Sequence, residues 1–162
     1  MTQKTIKTFT GEQLAIIVMH SPILRNLNTK YLGAKDSLKL YKFLEKSVGL
    51  YNKMIVSAKE LLEKQNNKLI EDNPEYADLL AAFAKIREDI VASNKFINEH
   101  AELEYLVPLM ESNNKELMEM QQDLSSSVHE IPYTIDNTKL EKALEDKELT
   151  VEQLHNLAFL FD

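Results

Sequence analysis

The 162-residue sequence has no cysteine, no tryptophan, only three glycines and only four prolines. Without cysteine there is no disulfide scaffold, thiolate zinc site or cysteine nucleophile. All-β folds and phosphate-cradling loops spend glycine freely, so its scarcity points to a mostly helical chain. The nucleophile-elbow motif Gly-x-Ser-x-Gly, the Walker loop and Gly-x-Gly-x-x-Gly are all missing. The apolar run "LAIIVM" is far too short to span a membrane. The opening "MTQKTIKTFT" lacks the apolar stretch of a secretion signal, so a cytoplasmic protein is expected.

What is present fits one helical domain over 1–162. Apolar residues make up 44% of the chain, enough to exclude a disordered composition. The net charge of −7 is unevenly spread. Residues 1–66 carry 11 Lys and Arg against 5 Asp and Glu, a balance of +6. Residues 67–162 carry 8 against 21, a balance of −13. Such asymmetry bears on self-association and choice of partner, not on fold.

Three stretches organise the chain: an arm with short helices over 1–33, long helices over 34–124, and an extended segment with two helices over 125–162. "KTIKTFT" alternates and reads as a strand. Thr10 starts a helix running to His20, and Ser21-Pro22 starts another. Tyr41, Leu44, Val48, Tyr51, Ile55, Ala58 and Leu62 are spaced 3, 4, 3, 4, 3, 4, a heptad seam on a helix from about Asp36 to Gln65. Gly49 is tolerated within it at about 1 kcal/mol relative to Ala. "QNNKLIEDNPE" is expected to break the chain before a helix capped by Asn73, with an apolar face of Tyr76, Leu80, Phe83, Ile86, Ile90 and Ile97.

A second seam runs Leu103, Leu106, Met110, Asn113, Leu117, Met120, Leu124, with Asn113 either fixing register or marking a helix end or solvated gap. "SSSVHEIPYTID" reads as a loop and an edge strand limited by Pro132, able to pair with residues 3–9. A helix over about 137–147, started by Thr138 with Glu141, precedes the last one. The expected fold is mainly α, a long antiparallel helical hairpin or bundle with coiled-coil-like seams and a small two-stranded ribbon joining the N- and C-terminal segments.

"FTGEQL" and "LTVEQL" share one pattern. Thr10 with Gln13, and Thr150 with Gln153, stand where a capping box needs them, and Phe9 with Leu14, and Leu149 with Leu154, stand at the hydrophobic-staple positions. Glu12 and Glu152 add negative charge in the first turn, which the helix dipole favours. The pair reads as helix engineering rather than as a functional repeat.

Lys35, Lys39, Lys42, Lys46 and Lys53 recur on the outer face of the long helix. The plain reading is a solvated face. The functional readings are an acidic protein or a nucleic-acid backbone. Glu152-Gln-Leu-His155 matches half of a helical di-metal site, but no second Glu-x-x-His occurs. His100 with Glu104 lies in a charge-rich stretch, and no metal or other cofactor is expected. The tail residues Leu157, Phe159, Leu160 and Phe161 are apolar almost all round, so the last helix either docks on its own domain or binds a partner.

The layout as a whole is a short strand, a capped helix, the long helix "SLKLYKFLEKSVGLYNKMIVSAKELLEKQ", acidic helices, "VHEIPYTIDNTKLEKAL" and "LTVEQLHNLAFLF". It resembles small uncharacterised proteins encoded by tailed bacteriophages. The resemblance covers most of the chain in outline and implies a phage or prophage setting, with no catalytic residues to carry over. The expected function is non-enzymatic: a helical protein that binds another protein or itself, as an assembly factor, a minor virion component or an inhibitor of a host system. A nucleic-acid-associated regulator using the lysine face is the alternative. The expected location is the host cytoplasm or the virion.

Overall fold

A computed structural model describes residues 6–86, 89–104 and 106–162, with side chains for all of these except 107, 109–111, 113 and 114. Along the described residues run β1 (Ile6–Thr10), α1 (Gly11–Arg25), α2 (Thr29–Asp72), α3 (Ala77–Ile86), α4 (Ile90–Glu99), α5 (Val107–Ser126), β2 (Val128–Pro132), α6 (Asn137–Glu145) and α7 (Val151–Leu157). Short 3-10 turns occupy Pro74–Tyr76, Ala101–Leu103 and Ala158–Leu160. The fold is mainly α with one small sheet, as composition predicts. Among the described residues no helix is long and apolar enough to cross a membrane.

The chain divides into two compact units, Met1–Ile55 with Asp123–Asp162, and Val56–Gln122. The sequence gives no sign of this division, because the first seam crosses it without a break.

In the first unit β1 and β2 pair antiparallel, Ile6 opposite Pro132 and Thr10 opposite Val128. The expected ribbon therefore forms, and Pro132 sits at its end, where a missing N–H is tolerated. Phe9, Ile131, Tyr133 and Ile135 turn inward and meet Leu14, Ile17, Leu24, Leu40, Phe43, Leu44, Leu140, Leu157 and Leu160 in one core. Phe43 packs edge-on against Tyr133 with centroids 4.9 Å apart, and Phe9 lies 5.2 Å from Phe43. Thr10 accepts from Gln13 N (3.2 Å) while Gln13 Oε1 accepts from Thr10 N (2.9 Å), closing the predicted capping box.

Four local expectations change here. The chain does not restart at Ser21-Pro22, and α1 passes through Pro22. Proline removes the N–H that would bond the carbonyl four residues back. Leu14, Ile17, His20 and Leu24 nonetheless form one buried face, which outweighs the lost bond. Gly33, with φ of 75°, kinks the start of α2, so helix is present from Thr29, ahead of the expected start near Asp36, and is regular only after Gly33. The buried stripe then runs Asp36, Leu40, Phe43, Leu44 and Ser47. It is turned from the heptad reading: Tyr41 is 52% exposed and Ile55 38% exposed. Asp136, not Thr138, caps α6, accepting from Lys139 N at 3.2 Å.

In the second unit α2 continues through "QNNKLIED" to Asp72 instead of breaking. Leu69 and Ile70 pack against Leu80, Leu103 and Leu106, and that burial overrides the weak helix preference of the asparagines. Asn73 bonds back to Leu69 O (3.0 Å) and does not cap the next turn with its side chain. Asp89 instead caps α4, accepting from Val91 N and Ala92 N at 3.0 Å each. The expected single helix from Tyr76 to Ile97 is therefore two helices, and Ile90 is 74% exposed rather than on an apolar face. Gln65 on α2 donates to Glu116 on α5 (2.8 Å), pairing the two long helices in this unit. In the second seam Leu103 and Leu106 are buried, whereas the Met110 and Asn113 side chains lie outside the described residues.

Candidate functional site

The lysine face of α2 is not a uniform solvated stripe. Lys39 Nζ donates to Asp36 Oδ1 (2.9 Å) and to Thr134 O (2.7 Å), and Lys139 of α6 donates to Asp36 Oδ2 (3.2 Å). Asp36 is the buried hub of this link between α2 and α6, with its side chain 7% exposed. Burial by itself raises its pKa. The hydrogen bonds and charges of Lys39 and Lys139 outweigh that and hold its carboxyl below the usual range. Lys35, Lys42, Lys46 and Lys53 are exposed. Lys42 and Lys46, with Lys39, face Phe43 and the Ile131–Ile135 segment across a cleft.

The Asp36 link makes a prediction about pH. A carboxyl with a lowered folded-state pKa adds stability above its unfolded value, about pH 3.9, and loses it as pH falls through the folded value below that. Asp36→Asn is therefore expected to cost about 1–3 kcal/mol at pH 7. Partial exposure of both lysines limits the charge contribution. Urea unfolding across pH should show the parent and variant curves converging below about pH 4. A constant gap down to pH 2 would contradict the charged link.

The apolar tail is docked on its own unit. Leu157 and Leu160 are fully buried in the core, which is the self-docked one of the two readings of the tail, so neither side chain is presented at the surface. They lie inward because the helix that Thr150 starts turns this side onto Leu24, Leu140 and Leu144 in the same cluster. Phe159 packs edge-on against Phe9 (6.1 Å), its carbonyl accepts from Lys7 Nζ (2.7 Å), and Phe161 O accepts from Asn137 (2.9 Å).

The tail's outer side builds a groove. Leu144, Leu149, Leu154, Ala158 and Phe161 form the floor of an opening of about 590 Å³ between α6 and α7. Glu141, Glu145, Glu148 and Asp162 form its rim. Every charged residue lining it is acidic, and Leu154 is 47% exposed within it. Glu148 has φ of 48°, a conformation uncommon outside glycine, at the turn that brings α7 back beside α6. Of the partner-binding residues predicted from sequence, only Phe161 lines this groove. Sequence reading passes over the acidic rim, though part of its signal is legible: Glu141 and Glu145 are one helical turn apart on α6, and Glu148 follows in the turn beyond it.

Three of the four histidines have structural places. His20 is buried, and its Nδ1 donates to Ile16 O (2.9 Å). His129 Nε2 pairs with Ser127 Oγ (2.8 Å), and His100 stacks on Phe96 with centroids 4.4 Å apart. Glu152 and His155 are both exposed. Among the described residues no three His, Asp or Glu side chains converge as a metal site. Comparison of the chain with protein-family models, with curated proteins and with solved structures found no match.

Proposed function

We propose that this chain is a non-enzymatic helical protein that binds another protein, and that the α6–α7 groove takes a basic amphipathic helix of that partner. The observation that carries the reading is the groove itself: an apolar floor wide enough for side chains, ringed by four carboxylates. A helix laid in a groove buries apolar anchors spaced three and four apart, and lysines flanking them would meet the rim. Complementary charge raises the association rate and selects the partner. The resemblance of the layout to tailed-phage proteins supports a phage-encoded assembly factor, minor virion component or inhibitor of a host system, acting in the host cytoplasm or the virion. The alternative, nucleic-acid binding along the lysine face, is weaker because Lys39 at its centre is committed to Asp36 and Thr134.

A synthetic Leu/Lys amphipathic helix, labelled and titrated by anisotropy, tests the groove. Binding is expected at low salt and should weaken about tenfold or more at 0.5 M salt, where screening is strong. Leu154→Arg should abolish it while leaving the far-UV circular dichroism unchanged. No binding at low salt, or equal binding by Leu154→Arg, would sink the reading.

A further inference from the structure

The cleft between α2 and the segment after β2 has a chemistry opposite to that of the groove. Its volume is about 320 Å³. Phe43, Ile131, Tyr133 and Ile135 supply apolar surface, and Lys39, Lys42 and Lys46 supply the charge. Among the described residues no Asp or Glu lines it. Lys42 and Lys46 stand one helical turn apart, so both ammonium groups serve the same opening. Lys39 is held in place by Asp36 and Thr134 O. Lys39 is already paired with Asp36, so the exposed Lys42 and Lys46 supply the two like charges beside this small opening, and an anion relieves their repulsion.

A second observation is independent of the lysines. Tyr133 lines the cleft, is 7% exposed, and its hydroxyl is buried with no hydrogen-bond partner among the described residues. Buried hydroxyls are almost always paired, because desolvation without a partner is costly. Burial also pushes the phenol pKa up, so the group stays protonated and keeps a proton to donate. The aromatic packing with Phe43 would be served as well by phenylalanine, so packing alone does not account for the hydroxyl.

We propose that this cleft binds a small organic anion with a planar apolar body, an aryl sulfonate, carboxylate or phosphate ester. The planar body lies against Phe43, Ile131 and Tyr133. The anionic group meets Lys42 and Lys46, and a small turn of the Tyr133 ring lets its hydroxyl gain an acceptor. The volume is at the small end of the range for ligand pockets, which suits a small molecule rather than a nucleic-acid strand. This inference does not rest on the protein-binding groove, whose acidic rim repels the same ligand.

The test uses 8-anilinonaphthalene-1-sulfonate, an aromatic sulfonate that fluoresces when sheltered from water, titrated into the full chain at low salt. A saturable one-to-one signal is expected. Lys42→Glu with Lys46→Glu should raise its Kd about tenfold or more, because opposite charges then face the sulfonate. Both side chains are exposed, so the fold should persist, and circular dichroism checks this. Tyr133→Phe should weaken binding severalfold while Tm stays level or rises, since it removes the unpaired hydroxyl. Leu154→Arg should leave the signal unchanged. No saturable signal, equal affinity in the lysine double variant, or loss of the signal in Leu154→Arg would overturn the proposal.

Discussion

Gly11→Ala is expected to destabilise the protein by about 3 kcal/mol or more, at or beyond the upper end of ordinary overpacking. Gly11 is the first residue of α1, directly after the Thr10 cap. A Cβ built there collides with the carbonyl oxygen of Leu124 and approaches its carbonyl carbon at 2.9 Å and Met54 Cε at 2.8 Å. The methionine end can swing away, but the carbonyl cannot. Leu124 O accepts from Ser127 Oγ (2.6 Å) and from Ser127 N (3.3 Å), while Gly11 N itself donates to Ser127 O (2.9 Å). The start of α1 and the end of α5 are thus bonded to each other at the place where the extra carbon must go. Moving them apart would also disturb the Thr10–Val128 pairing that begins the ribbon. Urea unfolding should show the loss as a lower midpoint, and Tm should fall by about 6–12 °C for a chain of this size. A loss below about 1 kcal/mol would mean that the two helix ends slide freely, contrary to their hydrogen bonds.

Gly11 also marks where sequence reading stops. The five residues around it are legible: Thr10, Glu12 and Gln13 form the start signal, and Phe9 and Leu14 are buried beside it. Each of those roles depends on neighbours within five positions. The reason for glycine depends on Leu124, which is 113 positions away, and no local pattern reports it. The same division separates the other outcomes. Thr150 with Gln153 closes its box as expected, because a cap is local. Pro22 reads as a new helix start and the asparagines after Gln65 as a break because their local preference for a helix interior is weak, and the buried face of α1 in the first case and the packing of Leu69 and Ile70 in the second override them. The heptad reading of α2 is turned in phase because Tyr41 and Ile55 are apolar enough to join a seam, while the buried stripe includes two polar residues, Asp36 and Ser47, that a hydrophobic pattern passes over. Asp36 looks like a surface residue until Lys139 is placed beside it from α6. The groove suffered from the same bias. Leu157 and Leu160 drew notice as apolar residues, yet such residues fill the core, and it is the half-exposed Leu154 among carboxylates that remains open to solvent.

The docking of the tail gives the second large effect. Leu160→Ala is expected to cost about 2–5 kcal/mol, the range for removing a leucine side chain from a packed core. Leu160 is fully buried in the 3-10 turn that follows α7, in the same cluster as Phe9, Leu140 and Leu157. The backbone on either side of it carries the bonds from Lys7 to Phe159 O and from Asn137 to Phe161 O. Loosening the leucine therefore loosens the ties of the tail to β1 and α6 together. Leu154, four residues upstream of Ala158, lies half exposed, and Leu154→Ala should change stability by no more than about 0.5 kcal/mol. The two variants separate the two sides of one short segment. Leu160→Ala should lower the urea midpoint and weaken Leu/Lys helix binding, because the floor residues Ala158 and Phe161 move with the tail. Leu154→Ala should weaken binding with the midpoint unchanged. Equal stability losses in the two variants would mean that the tail does not divide into a core side and a groove side, and would remove the structural basis for a partner at that surface.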